Sequence, residues 1–139
     1  MMAIVPFDAA HVAQLSEDPM HRAIAAEMAR MGPGQTLLED GQPVAAAGLA
    51  RLWPGVAEGW FLAKPDLTPR QRLTVARAVA RSLPATLRDQ GVQRFQASVR
   101  LGAERAAHLV EWLGLTPEGI MRAYGPDGAD HIRYAWVRP

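Results

Sequence analysis

Apolar residues change their spacing several times along this chain, and each change marks an element. Residues 3–7 form a short apolar run of strand length. The run stops at Asp8, a favourable N-cap, after which Ala9, Val12, Ala13 and Leu15 offer a helical face through about Ser16. Asp18-Pro19 has the cap-then-proline form of a second helix start, and Gly32-Pro33-Gly34 predicts its end near Met31. Residues 36–39 and 44–53 flank Asp40-Gly41, a favoured pair for a tight hairpin, with Pro43 leaving the register open. The second arm is rich in alanine and contains Gly48, which predicts a neighbour packed closely over it. Trp53-Pro54-Gly55 makes the next turn, and Trp60, Phe61 and Leu62 form a central strand.

The clearest local start belongs to the helix that follows. Thr68, Pro69, Arg70 and Gln71 supply an N-cap, a proline at the first helical position and a capping-box glutamine. Leu73, Ala76, Val79, Ala80, Leu83 and Leu87 then recur at helical spacing, while Arg70, Arg77, Arg81 and Arg88 lie mostly off that face. Pro84 predicts a kink or a division before Gly91 ends the helix. Phe95, Ala97 and Val99 alternate with polar neighbours as a half-exposed strand requires. Ala106, Leu109, Val110 and Leu113 mark a helix stopped by Gly114; residues 119–124 and 131–137 read as two strands joined across Pro126-Asp127-Gly128. The order is strand, two helices, three strands, helix, strand, helix, two strands. It predicts one α+β sandwich domain over residues 1–139, a mixed sheet with helices on both faces.

Composition narrows the function classes. The chain has 139 residues and a formal charge of +1, the size of one domain that buries roughly 70% of its unfolded surface. Balanced acids and bases argue against a domain whose main task is neutralising a nucleic-acid backbone. The absence of cysteine excludes a disulfide framework, a thiolate nucleophile and a zinc–thiolate site. His11, His21, His108 and His131 are scattered, without metal-ligand spacing, so no metal is expected. The N-terminus lacks the basic flank and long apolar core of a signal peptide, and no run approaches the roughly 20 apolar residues that span a bilayer. A soluble, non-secreted chain without membrane contact is expected.

Candidate chemistry concentrates where the central strand runs into the well-capped helix. Residues 58–63 lead to Asp66, Leu67 and the Thr68 start within a few positions. A helix N-terminus presents unpaired N–H groups and partial positive charge, which suits a phosphate or another anion. Arg70 and Arg72 flank that start.

This element order and junction, with the run from Arg105 to Gly119 that contains Trp112-Leu113-Gly114-Leu115, resemble the GNAT superfamily of acetyl-CoA-dependent N-acyltransferases. The resemblance implies a GNAT-like, mostly antiparallel mixed sheet whose fourth strand splays from the fifth. It implies that Phe61, Leu62 and Ala63 offer backbone to the pantetheine arm and that Arg70, Gln71, Arg72 and Leu73 surround the pyrophosphate of acetyl-CoA. Leu113-Gly114-Leu115 matches the family's leucine-glycine-phenylalanine segment, near which the cofactor thiol lies. Among members, the chain looks most like short phage-encoded proteins, including small internal virion proteins, through its Met-Met start, its short Trp60-Phe61 strand, and Tyr124 followed by Asp127-Gly128.

Two departures stand beside the resemblance. The family's phosphate loop carries glycines that let bare backbone close on the pyrophosphate; residues 70–75 here contain none, and each Cβ crowds that approach. A tyrosine that protonates the departing thiolate is common in the family's next helix; Val110 stands near its place. Glu58 then becomes the candidate base for an unidentified amine, accepting its proton through water, and Tyr124 the candidate general acid. Both residues also have ordinary readings, a solvated strand-edge glutamate and a packed tyrosine. His108 and His131 are further candidates of the same kind, and Trp112 and Trp53 are candidates for a protein interface. Three functions stay open: an acetyl-CoA N-acyltransferase; a virion or assembly protein that kept the fold, lost the chemistry and binds phage structural proteins; and a CoA-binding regulator.

Overall fold

The computed structural model describes residues 1–16 and 19–139, with the backbone alone at residues 19–21. Strand β1, Met2–Pro6, leads through a 3₁₀ turn, Ala9–His11, into a single helical turn α1, Val12–Leu15. Asp8 caps this entry by accepting a hydrogen bond from the Ala10 N–H at 2.8 Å. Val12 and Leu15 are buried as their spacing requires, whereas Ala13 faces solvent, because a 3₁₀ start rotates the following turn. Helix α2 spans Pro19–Arg30; Asp18, its expected cap, lies outside the described residues, as does the side chain of His21.

Strands β2 (Gly34–Glu39), β3 (Gln42–Trp53) and β4 (Val56–Ala63) form a meander. Asp40 and Gly41 both take positive φ in the first hairpin, as a two-residue turn of this type demands. The irregularity that Pro43 introduces falls opposite Leu37 and Leu38, where the register shifts. Helix α3, Pro69–Asp89, precedes β5 (Arg94–Arg100), helix α4 (Glu104–Trp112), β6 (Thr116–Met121) and β7 (His131–Val137). Pro84 does not divide α3: the helix continues through it and ends where Gly91, at positive φ, lets the Val92 N–H reach the Leu87 carbonyl at 2.9 Å. The last strand pair also departs from expectation. β6 begins at Thr116, three residues before the predicted start, and Ala123 at φ 53° turns the chain so that Tyr124 sits in the loop before β7.

The seven strands lie in the order β1-β2-β3-β4-β5-β7-β6. Every neighbouring pair is antiparallel except β4 and β5, whose parallel pairing joins Val56, Ala57 and Glu58 to Arg94, Phe95 and Gln96. α1 and α2 cover one face through Val12, Leu15, Ala25 and Met28, which pack on Ala46, Leu62 and Trp60. α3 and α4 cover the other, with Leu87 and Leu115 packed among Leu49, Ala57, Phe95 and Tyr134. Gly48 shows why a side chain is excluded there: a Cβ would stand 2.5 Å from the Trp60 ring. Among the described residues, no helix is long and apolar enough to cross a membrane.

Candidate active site

The parallel contact between β4 and β5 stops at Glu58 and Gln96. Beyond it, β4 continues to pair with β3 through Ala63, and β5 continues with β7 through Arg100, so the two strands part and leave a gap. Gly59 is the first residue past the last rung. It is bare because the Phe95 ring lies over it; a Cβ there would come within 2.5 Å of the ring.

The direction of the β4 backbone follows from one bond. The Lys64 N–H donates to the Val44 carbonyl of β3 at 3.1 Å. Successive residues of a strand turn their N–H and C=O groups to opposite sides, so Leu62 and Trp60 also turn toward β3, while Phe61 and Ala63 turn theirs into the gap. Leu62 is buried against the α1/α2 side, and Phe61 is 42% exposed. Of the three strand residues singled out by sequence, two therefore present free backbone and the third supplies packing.

Glu58 stands at the mouth of the gap, on the sheet face that carries α1 and α2. Its Oε1 accepts hydrogen bonds from Arg133 Nη1 at 2.8 Å and Gln96 Nε2 at 3.1 Å; its Oε2 accepts a longer one from Ser98 Oγ at 3.4 Å. The arginine guanidinium also lies 5.8 Å from the centre of the Tyr124 ring, which meets His131 edge-on at 5.4 Å. The structure thus brings Glu58 and Tyr124 into one polar cluster through Arg133. Gln96 and Ser98 were legible as the polar members of the β5 alternation. Arg133 had no signal until the register set it opposite Ser98. Farther along the face, Arg94 binds Glu118 at 2.5 Å and Arg100 binds Asp127 at 2.7 Å. The hydrogen bond from Arg94 holds the Glu118 carboxyl below its ordinary value, and that from Arg100 does the same for Asp127.

At the start of α3 the expected capping box is complete. Thr68 Oγ1 accepts from the Gln71 N–H at 3.1 Å, and Gln71 Oε1 accepts from the Thr68 N–H at 2.9 Å. The Gln71 amide then donates to Glu39 Oε2 at 2.6 Å, and Arg72 Nη1 donates to the Leu67 carbonyl at 2.7 Å. The Arg72 N–H already makes the first helical bond, to the Thr68 carbonyl, and Pro69 has no N–H. Among the described residues, Arg70 is left with the one unpartnered N–H of this first turn. Arg70 and Leu73 face solvent.

Val110 is partly buried and packs against the core beneath α4. The buried phenol on this side is Tyr134, missed by sequence reasoning, whose hydroxyl donates to Glu111 Oε1 at 3.2 Å. Burial pushes it above its ordinary value, and the bond to Glu111 adds to the rise. His108 is exposed, while His131 Nδ1 lies 3.1 Å from the Ala129 carbonyl. Trp112 and Trp53 are largely exposed.

No family model and no curated protein matches this sequence. Solved structures do match its fold. Ard1 from Thermoplasma volcanium superposes with a TM-score of 0.81 at 13% identity, over 99% of this chain and 98% of that one. The ribosomal-protein-S18-alanine N-acetyltransferase from Escherichia coli gives 0.75 at 24% identity, over 99% and 94%. A GNAT family acetyltransferase from Elizabethkingia anophelis, with acetyl-CoA bound, gives 0.77 at 10% identity, over 98% and 97%. The chain has the GNAT fold: a mixed, mostly antiparallel seven-stranded sheet with helices on both faces.

Proposed function

We propose that this protein is an N-acyltransferase that moves an acyl group from a pantetheine thioester, acetyl-CoA being the simplest, to an amine. The observation that carries this reading is the open edge of β4. Phe61 and Ala63 turn unpaired backbone groups into a gap bordered by Glu58. Peptide-like amides of a pantetheine arm fit such an edge by strand-like pairing. The rest of CoA fits less well. A diphosphate needs several free donors at the helix start, and the capping box has used all but the Arg70 N–H. Arg70 and Arg72 keep a positive field there, while Gln71 is held by Glu39 and Leu73 offers no donor.

The bound thioester supplies an activated acyl carbon. Glu58, fixed by Arg133, Gln96 and Ser98, takes the proton of the incoming amine through water as the C–N bond forms and the C–S bond breaks. Tyr124, exposed beside Arg133, is the group of this cluster that can return a proton to the thiolate. A second reading draws on the closed helix start and on Val110 packed against the core: a chain that kept the fold without the chemistry and associates with phage structural proteins.

Thermal midpoints with and without millimolar acetyl-CoA, followed by amine-dependent thiol release from a panel of amines, test the two readings. The transferase raises its midpoint by several degrees near 100 times the dissociation constant, where binding adds about 2.7 kcal/mol, and Glu58→Gln lowers kcat with KM for the thioester unchanged. Neither binding nor release with any pantetheine thioester would leave the second reading.

A further inference from the structure

Helix α3 carries a feature that the transfer site does not use. Arg70, Arg77, Arg81 and Arg88 are separated by seven, four and seven residues and are all exposed. At 3.6 residues per turn these positions share one line along the helix, about 27 Å long, opposite the side on which Val75 and Leu87 are buried. None of the four guanidinium groups has an ion pair or side-chain hydrogen bond among the described residues. Five of the fifteen basic residues lie on α3 with one of the fourteen acids, Asp89, so the remainder of the chain is net negative. A solubilising surface helix ordinarily interleaves acids at i,i+4; here Arg77 and Arg81 face each other at that spacing, and the first turn has no acid to complement the helix dipole. The helix carries this repulsion unrelieved, as a surface held for an anionic partner does.

We infer that the acyl donor is presented by an acidic carrier protein, which docks on the arginine line of α3 and inserts its phosphopantetheine arm into the gap between β4 and β5. The inference rests on the transferase reading and names its donor. Thioesters of pantetheine come either on a nucleotide or on a protein. The open β4 edge suits the arm they share. The capped helix start, with Glu39 beside it, withholds donors from the diphosphate that only the nucleotide form carries. The arginine line supplies the complementary charge that a protein-borne arm needs for orientation. A nucleic acid fits less well, because α3 has no aromatic platform between its arginines and the rest of the chain is net negative.

The test measures binding by fluorescence anisotropy with a labelled acidic acyl carrier protein in its apo and holo forms. CoA and pantetheine are titrated by calorimetry, and a labelled oligonucleotide serves as competitor. The expected result is holo-carrier binding at least tenfold tighter than CoA, weakening steeply with salt. Arg77→Glu with Arg81→Glu should reduce carrier binding at least tenfold and leave pantetheine binding and the melting temperature unchanged. Arg77→Lys with Arg81→Lys should retain most of the binding. CoA bound more tightly than the carrier, carrier binding indifferent to the charge reversal, or an oligonucleotide that outcompetes the carrier would each overturn the donor assignment while leaving the transferase reading standing. No binding by carrier, CoA or pantetheine would overturn both.

Discussion

Replacing Thr68 by alanine should move stability and ligand affinity in opposite directions. The Thr68 hydroxyl accepts the Gln71 N–H at 3.1 Å and anchors a capping box whose other arm is the 2.9 Å bond back to the Thr68 N–H. Loss of such a cap costs about 1 kcal/mol, within a range of 0.5–2. For 139 residues the unfolding entropy is about 0.3 kcal/mol per kelvin, so the melting temperature falls by about 3 °C. The same change frees the Gln71 N–H beside that of Arg70, giving an anion two donors in place of one. A charge-assisted bond from it to a phosphate should tighten adenosine 3′,5′-bisphosphate or CoA by about tenfold, or about 1.4 kcal/mol. Differential scanning fluorimetry reads the first effect and isothermal titration the second. A fall in stability with no gain in affinity would refute the argument that the cap closes this helix start to diphosphates. No fall in stability would refute the cap itself.

Gly48→Ala drives a methyl to 2.5 Å from the Trp60 ring and 2.7 Å from the Pro33 carbonyl, and should cost about 1–3 kcal/mol; adding Trp60→Phe should recover only part of it in a thermal melt, because the carbonyl contact remains. Pro84→Ala restores an N–H inside α3 and should raise the melting temperature, by up to about 3 kcal/mol of helix stability; a lower melting temperature would contradict this account of the helix. Glu118 and Asp127 are held below their ordinary values by Arg94 and Arg100, so their contribution is complete above the unfolded carboxylate range, about pH 4–4.5, and is lost as pH falls through the depressed folded values. Denaturant titrations across that window should show a shallower acid loss for Glu118→Gln with Asp127→Asn than for the parent chain.

Most of the fold was legible because its signals are local. The Thr68 capping box, the Asp40-Gly41 hairpin and the Phe95, Ala97, Val99 alternation each appear where their residues placed them. Gly48 announced a close neighbour, and the register identified it as Trp60. The failures are those of context. Of the kink or division that Pro84 predicts, the division does not occur: a helix packed at Val75 and Leu87 continues through it. β6 starts three residues before the predicted Gly119, because an edge strand tolerates Pro117 and Gly119 at a bulge. At the candidate site, Glu58 could be singled out beside Trp60 and Phe61, although β4 starts at Val56 and so contains it instead of following it. Its partner Arg133, 75 residues away, could not, since only tertiary pairing brings them together. The Glu39 contact with Gln71 was equally invisible, although it alters what the helix start can hold.

The parting of β4 from β5 also has a mechanical meaning. Among the described residues, three parallel rungs and the bonds from the Gln93 and Arg94 N–H groups to the Gly55 carbonyl are the backbone pairing that joins the four-stranded half of the sheet to the three-stranded half. Side chains supply the rest: Glu58 binds Gln96, Ser98 and Arg133 across the seam, and Leu87 and Phe95 knit the end of α3 to both halves around Ala57. The seam therefore has the compliance of a hinge, with Ala57 as its pin. A force or fluctuation that spreads the halves meets least resistance along the unpaired slot where a guest must enter, so that admission and fragility are set by the same short seam.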